Sequence, residues 1–219
     1  MGMEYTLSIQ DLMSARDAVG KCLGDLGDKY PNMIVISADV DVSSRVGQFK
    51  EKYPDRSYNV GIAEQNLMSV AAGMAHEGLK PLCFAFATFA TMRCYEQIRT
   101  DICYSKLPVI IIGNNAGYSN GISGCTHCGL EDSAIMVACD NMTVIEPGDP
   151  KQMVKVLEAC MVLNAPVYIR LGREATSSLY PDDVKYEIGK ALIPREGDDG
   201  AFVCTGIMVH FAMEAAERI

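Results

Sequence analysis

Tryptophan is absent from this 219-residue chain, and basic residues are scarce: 19 Lys and Arg stand against 28 Asp and Glu, a net charge of −9. That balance argues against general nucleic-acid binding and against attraction to anionic membranes. No apolar run reaches the roughly 18 residues needed to span a bilayer. Met1 to Gln10 lacks the basic and apolar regions of a secretory signal. Gly2 and Thr6 fit a short myristoylation pattern, but Met1-Gly2 before Met3 reads equally well as a remnant of cloning. Low-complexity tracts and internal repeats are missing too, and a hydrophobic content of 49% argues against disorder. A disulfide framework is also lacking. The nine cysteines are odd in number and irregularly spaced, which points to a reducing, cytoplasmic setting. Cys125-Thr-His-Cys128 has no second ligand pair to complete a zinc site, and it lies in a glycine-rich loop far from the first strand, unlike a thioredoxin-type pair.

What is present is an alternation of helical and extended patterns. Ile9 to Gly27 carries Leu12, Ala15, Val19, Leu23 and Leu26 at helical spacing and ends in glycine. Met33–Ser37, Pro81–Phe86, Val109–Gly113, Thr143–Ile145 and Val167–Leu171 are short apolar runs, as buried parallel strands are. Thr88–Tyr104 reads as a helix with Tyr95, Ile98 and Ile102 on one side. Asp149-Pro150 places an N-cap and an N1 proline ahead of a helix to about Leu163. The pattern predicts an α/β domain, with a mostly parallel sheet and helices on both faces. Pro181 to Gly200 is polar and reads as a linker. Ala201–Thr205 and Met208–Arg218 then read as one strand and one helix, too little to bury a core and so the first unit of a truncated further domain. The expected division is 1–180, a 181–200 linker, and 201–219.

Ligands of open parallel sheets gather at the carboxyl ends of the strands. Asp39, Phe86 to Phe89, Asn114 to His127 and Gly172-Arg173 all follow strands, so they are expected to share that edge. Beside them, Leu67, Val70, Ala71, Met74 and Ala75 give the stretch Ile62 to Glu77 one buried helical face. Glu64 falls in the first turn of that helix. A carboxylate there is either an anion favoured by the helix dipole or a partly desolvated general acid/base.

The wording around Glu64, GIAEQN and then AAGMAHEGLKPLCFAFATFATMRCYEQIRTDI, resembles the pyrimidine-binding domain of transketolase. The resemblance covers roughly residues 8 to 210, with several separated blocks in order. It implies the thiamine-diphosphate-binding fold, and it implies that Glu64 bonds the aminopyrimidine ring of thiamine diphosphate, with Phe89 packing on that ring beside Phe86. Asp39 would lie near the cofactor. The loop GNNAGYSNGISGCTHCGLED resembles the family loop that ends in Asp-Gly-x-Thr-His, so His127 would face substrate hydroxyls. Two departures stand out: Ser123 replaces the usual Asp, and Asn115 stands where some members have a phosphate-contacting His. Arg16, Ser43 and Arg173 match positions that hold the phosphate of a sugar phosphate, a task suited to arginine's charge-assisted hydrogen bonds. Read without the family, each of these has a structural alternative as core, cap or surface residue.

In the family, a second domain binds the cofactor diphosphate through Mg²⁺, using Gly-Asp-Gly followed about thirty residues later by Asn; no Gly-Asp-Gly occurs here. The resemblance therefore implies one half of a split transketolase. A partner chain, the diphosphate-binding N-terminal half, would hold Mg²⁺ and the diphosphate in an α2β2-type assembly. The implied reaction passes a two-carbon ketol unit from a ketose phosphate to an aldose phosphate. Half of a deoxyxylulose-phosphate synthase, the β subunit of a 2-oxoacid dehydrogenase and a catalytically silent assembly module are the alternatives. A flavodoxin-like module is disfavoured, since no glycine-rich phosphate loop follows the first strand.

Overall fold

The computed structural model describes residues 12–219. Gly2, Thr6 and the first part of the helix expected from Ile9 lie outside the described residues. Met13–Ser14 forms a short strand, β1, and helix α1 runs Ala15–Lys29. The helix therefore starts later than its apolar spacing predicts. The reason is Ser14, an N-cap whose hydroxyl accepts from the Asp17 amide and fixes the first turn. Leu12 lies before that cap and is exposed.

From there the chain alternates: β2 Met33–Ser37, α2 Gly47–Lys52, β3 Ser57–Asn59, α3 Glu64–His76 and β4 Lys80–Phe86, then β5 Ile110–Asn114, α5 Asp132–Val137, β6 Thr143–Ile145, α6 Pro150–Val162 and β7 Val167–Arg170. The six strands pair in the order β3-β2-β4-β5-β7-β6, all parallel. Every residue of β2 is buried, as is nearly every residue of β4 and β5, because helices cover both faces. One face packs Leu23, Phe49, Met153 and Leu157 against Val35, Phe84 and Ile112. The other packs Leu67, Met68, Ile98 and Ile102 against Ile36, Cys83 and Ile111. A two-residue strand β8, Ala175–Thr176, pairs antiparallel with β1 and brings the start of α1 to the segment after β7.

The stretch expected as one helix from Thr88 to Tyr104 is helical but not uniform. Phe89–Arg93 and Ile98–Tyr104 are π-type turns, and Tyr95–Gln97 a single α turn between them, α4. Such widened turns rotate side chains off the regular helical faces and recur at functional sites. Beyond Thr176, the segment 181–200 forms neither helix nor strand, yet Val184 is buried and Tyr186 and Ile188 pack on the core. The strand expected at Ala201–Thr205 does not form. No described strand lies beside it, and Phe202 and Val203 are exposed. The helix after it does form, as α7, Met208–Arg218, resting Met213 against Leu179, Tyr180 and Val184. None of the described helices is long and apolar enough to cross a membrane.

Candidate functional site

All six strands point the same way, so the segments after β2, β4, β5 and β7 meet at one edge. Glu64 arrives there as the first residue of α3, and it is only 3% exposed. Gly61, at φ 76°, makes the bend into the helix, and the Asn59 side chain accepts from its amide. Burying a carboxylate is costly unless a partner compensates. Here the partner is Arg93, whose Nη1 donates to Glu64 Oε2 at 2.7 Å. The same guanidinium lies 4.1 Å from the centroid of Phe89. Arg93 was missed in the sequence because its partner is distant: the four-residue spacing sets it on the same side as Phe89, but only the fold brings Glu64, from another helix, to it. The adjacent CYEQIRTDI run signals only a regular helix.

Phe86, Phe89 and His127 form an aromatic wall. Their ring centroids are 6.1 Å apart for the two phenylalanines, 5.6 Å for Phe86–His127 and 5.0 Å for Phe89–His127. A cavity of about 530 Å³ opens beside them, between Thr88, Met92 and Arg93 on one side and Cys125 and Thr126 on the other. His127 shares a hydrogen bond with Thr126 Oγ1 at 2.8 Å through Nδ1. Cys128 donates to the Gly124 carbonyl, and among the described residues no cluster of three metal-binding side chains forms around it.

The loop that carries His127 is tied down from beneath. Asp132 is fully buried, and its carboxylate accepts from Tyr168 Oη at 2.7 Å and from Arg170 Nε at 2.9 Å. Arg170 also donates to the Gly129 carbonyl and pairs with Glu146. Gly113 makes room for this network: a Cβ there would lie 2.4 Å from Tyr168 Oη. Asp132, Glu146 and Arg170 were not singled out in the sequence. Only the topology, which sets β7 between β5 and β6, brings the three together.

Several polar atoms at this edge are buried without partners: Thr88 Oγ1, Asn114 Oδ1, Asn115 Oδ1 and Arg16 Nε. Asn115 adopts φ 58°, and Asn114 donates to the buried Ser44 hydroxyl, linking the end of β5 to the loop after β2. Asp39, at φ 57°, is exposed and exchanges hydrogen bonds with the Asn59 side chain. Ser43 meets Arg16 through its backbone carbonyl, 3.4 Å from Nη1. Arg173 Nη1 donates to Asn120 Oδ1, and Ser123 Oγ accepts from the Asn120 amide. Burial, together with nearby Arg45 and Arg173, lowers the Arg16 pKa from its usual value. Arg16, Arg45 and Arg173 therefore form one positive corner, although Arg45 is partly neutralised by Asp17 at 2.6 Å.

A parallel sheet in this strand order, with a buried carboxylate, an aromatic wall and a basic corner at its carboxyl edge, is an α/β domain of the transketolase type. Residues 11–178 match the transketolase pyrimidine-binding domain family. The chain belongs to that family. It is 37% identical over 204 residues to a protein described as a transketolase C-terminal section from Methanocaldococcus jannaschii, covering 92% of this chain and 65% of that one. It is 34% identical to the 6-deoxy-6-sulfo-D-fructose transketolase subunit SqwH of Clostridium sp. (strain MSTE9), with 93% and 63% covered. It is also 34% identical over 210 residues to a 1-deoxy-D-xylulose-5-phosphate synthase of Carboxydothermus hydrogenoformans, covering 94% of this chain and 33% of that enzyme. Thus the chain spans less than two thirds of the length of these relatives. Among solved structures it resembles a split-gene transketolase, described as an inactive β4 tetramer, with a TM-score of 0.86 and 39% identity over 94% of this chain and 67% of that one. The transketolase of Leishmania mexicana shares the fold at a TM-score of 0.71.

Proposed function

We propose that this chain is the pyrimidine-binding subunit of a thiamine-diphosphate-dependent transketolase, passing a two-carbon ketol unit from a ketose phosphate to an aldose phosphate. The observation that carries this reading is that Arg93 links the buried Glu64 to Phe89, which packs with Phe86 and His127 and lines the cavity. The residues fit the pyrimidine end of the cofactor. A buried carboxylate, a phenyl face and the unpartnered Thr88 hydroxyl at the cavity suit a flat, nitrogen-bearing ring. When bound, that cofactor supplies the electron sink for cleaving a carbon–carbon bond.

The chain's own residues bind, orient and move a proton. Phe89 offers its face to the ring, and Phe86 backs it. Glu64 holds a proton toward the ring nitrogen, and the low local exposure strengthens that bond. His127 presents its second ring nitrogen, the one not bonded to Thr126, to substrate hydroxyls. Arg16 and Arg173, with Ser43 beside them, take the substrate phosphate through charge-assisted bonds. Ser123 and Asn115 border the path of the acceptor, and Asp39 lies at the cofactor-side rim. Mg²⁺ and the diphosphate belong to a partner chain, the N-terminal half of the enzyme, in an α2β2-type assembly. The division into 1–180, a 181–200 linker and the start of a further domain at 201–219 is part of the same reading.

The kinship with deoxyxylulose-phosphate synthases, at 34% identity, sustains a second reading as half of such an enzyme. One experiment separates the two. The full chain is assembled with a subunit carrying the diphosphate motif and offered a ketose phosphate or a 2-oxoacid, each with an aldose phosphate. Ketol transfer without release of carbon dioxide supports the transketolase. Condensation only with the 2-oxoacid overturns it.

A further inference from the structure

Asn120 stands just ahead of the helical turn Gly121–Ser123, where an asparagine ordinarily uses its carboxamide oxygen to cap the turn's own amides. Here the side chain makes no such bond. Its Oδ1 accepts instead from Arg173 Nη1 at 2.9 Å, 53 positions along the chain, and its Nδ2 donates to Ser123 Oγ at 3.0 Å. The orientation of the amide follows from its partners, because a guanidinium can only donate. Asn120 is 6% exposed, whereas Arg173 and Ser123 are both exposed. One buried carboxamide therefore holds two exposed groups, which come from the segments after β5 and β7.

We propose that Asn120 is a positioning residue that sets the separation of Arg173 and Ser123, and that this separation selects the acceptor by the distance between its phosphate and the oxygen that meets Ser123. This inference rests on the functional reading above, in which Arg173 takes the substrate phosphate and Ser123 borders the acceptor path. A long arginine side chain loses rotamer freedom when it takes a ligand, and a bond made beforehand removes part of that cost. A carboxylate could hold the guanidinium equally well but would neutralise it. A neutral amide holds it and leaves its charge for a dianion. The adjacent carboxylate, Glu174, is engaged by the Arg173 backbone amide at 3.0 Å. At the other end, Ser123 Oγ accepts from the amide and still has its own proton to donate to a substrate oxygen.

A purely structural role for Asn120 would be confined to its own turn. That turn closes through its backbone without the carboxamide: the Gly121 amide donates to the Tyr118 carbonyl, the Ser123 amide to the Asn120 carbonyl and the Gly124 amide to the Gly121 carbonyl. What the carboxamide adds is the link to Arg173. The two strands that carry these segments, β5 and β7, pair side by side, so their ends are already fixed relative to each other. Only the side chains beyond them remain to be set, and Asn120 joins one from each segment.

The test is steady-state kinetics of the chain assembled with its partner subunit, using aldose phosphates of three, four and five carbons and the matching unphosphorylated aldoses as acceptors. Wild type should favour one phosphorylated length over its neighbours by about tenfold in kcat/KM. Asn120→Ala should raise KM for that acceptor by about tenfold, change kcat by less than about twofold, and reduce the preference among lengths to about threefold or less. Asn120→Ser guards against a folding failure. Serine is equally favoured ahead of a helical turn but too short to bridge to Arg173, and it should give the same shifts. In an Arg173→Ala background, Asn120→Ala should cost nothing further, since the guanidinium it positions is gone. Full additivity of the two substitutions, no length preference in wild type, or a preference that survives in both Asn120 variants reduces Asn120 to a turn residue and overturns the proposal. A wild type that uses phosphorylated and unphosphorylated aldoses alike overturns instead the functional reading on which the proposal rests.

Discussion

At the scale of single residues, Glu64 bears the heaviest demand. Its first-turn position would suit any anion at a helix N-terminus, for a few tenths to about 1 kcal/mol. A surface anion, however, needs neither burial nor an arginine. Glu64→Gln keeps the shape and can still accept from Arg93, so the free energy of urea unfolding should change by less than about 1 kcal/mol. An amide has no proton to give a ring nitrogen. Hydrogen–deuterium exchange at C2 of the bound cofactor should therefore slow by at least about a hundredfold, in line with loss of a positioned acid/base. Exchange at the wild-type rate would reduce Glu64 to a helix-end anion. Arg173 makes a different demand. Its guanidinium acts on Arg16 in the basic corner and donates to Asn120 Oδ1. Hydrogen bonds to charged groups contribute about 1.5–3 kcal/mol. Arg173→Ala should therefore raise KM for a phosphorylated acceptor by roughly 10- to 100-fold, at about 1.4 kcal/mol per decade. An unphosphorylated aldose should suffer far less. Equal losses for both acceptors would move the phosphate elsewhere.

At the scale of elements, the sequence was most legible where one local rule decides the outcome. Met33–Ser37 and Thr143–Ile145 are continuous apolar runs, and both became strands with the expected bounds. Asp149-Pro150 did cap α6, its carboxylate accepting from the Gln152 amide. Legibility failed where a distant partner decides. Ser57–Asn59 is polar and short, and it is a strand only because β2 lies beside it. Ala201–Thr205 has the composition of a strand, but no described neighbour completes it. The candidate site divides the same way: Phe86, Phe89 and His127, marked by motif, lie ring to ring, whereas Arg93, which joins Glu64 to Phe89, and the Asp132–Arg170 anchor required the fold. Lys80, the first residue of β4, is another product of the fold. It is buried at the opposite edge of the sheet, with Nζ 2.6 Å from the Leu163 carbonyl. Burial lowers its pKa from 10.5 to about 8. Between those values the unfolded chain binds a proton that the folded chain does not. The Lys80 contribution to stability therefore grows as pH rises through this window and is lost as pH falls toward 8. The buried cysteines, whose pKa values are raised, oppose it above their usual range, so only a comparison isolates Lys80. Relative to Lys80→Met, wild type should gain about 2–3 kcal/mol in urea unfolding between pH 8 and pH 10. Parallel stability curves would mean that the ammonium is better solvated than its burial implies.

At the scale of the whole molecule, the question is what this chain can do by itself. The described residues supply a carboxylate, an aromatic wall and a basic corner, and among them no three acidic, cysteine or histidine side chains gather to hold a cation. The sequence contains no Gly-Asp-Gly. A diphosphate carries most of the charge of thiamine diphosphate, and Mg²⁺ normally neutralises it through carboxylate and backbone oxygens. A chain of net charge −9 that offers only the ring seat should repel the remainder. Ring stacking and one hydrogen bond to a carboxyl group contribute only a few kcal/mol in total, on the order of millimolar affinity. Calorimetry on this chain alone should therefore show weak binding that Mg²⁺ does not strengthen. Adding the diphosphate-binding partner should bring binding to micromolar or tighter, with a thermal midpoint that rises with cofactor only in the mixture, as a ligand bound across two chains requires. Tight, Mg²⁺-dependent binding by the chain alone would place a complete cofactor site on one polypeptide and sink the division of labour between two subunits.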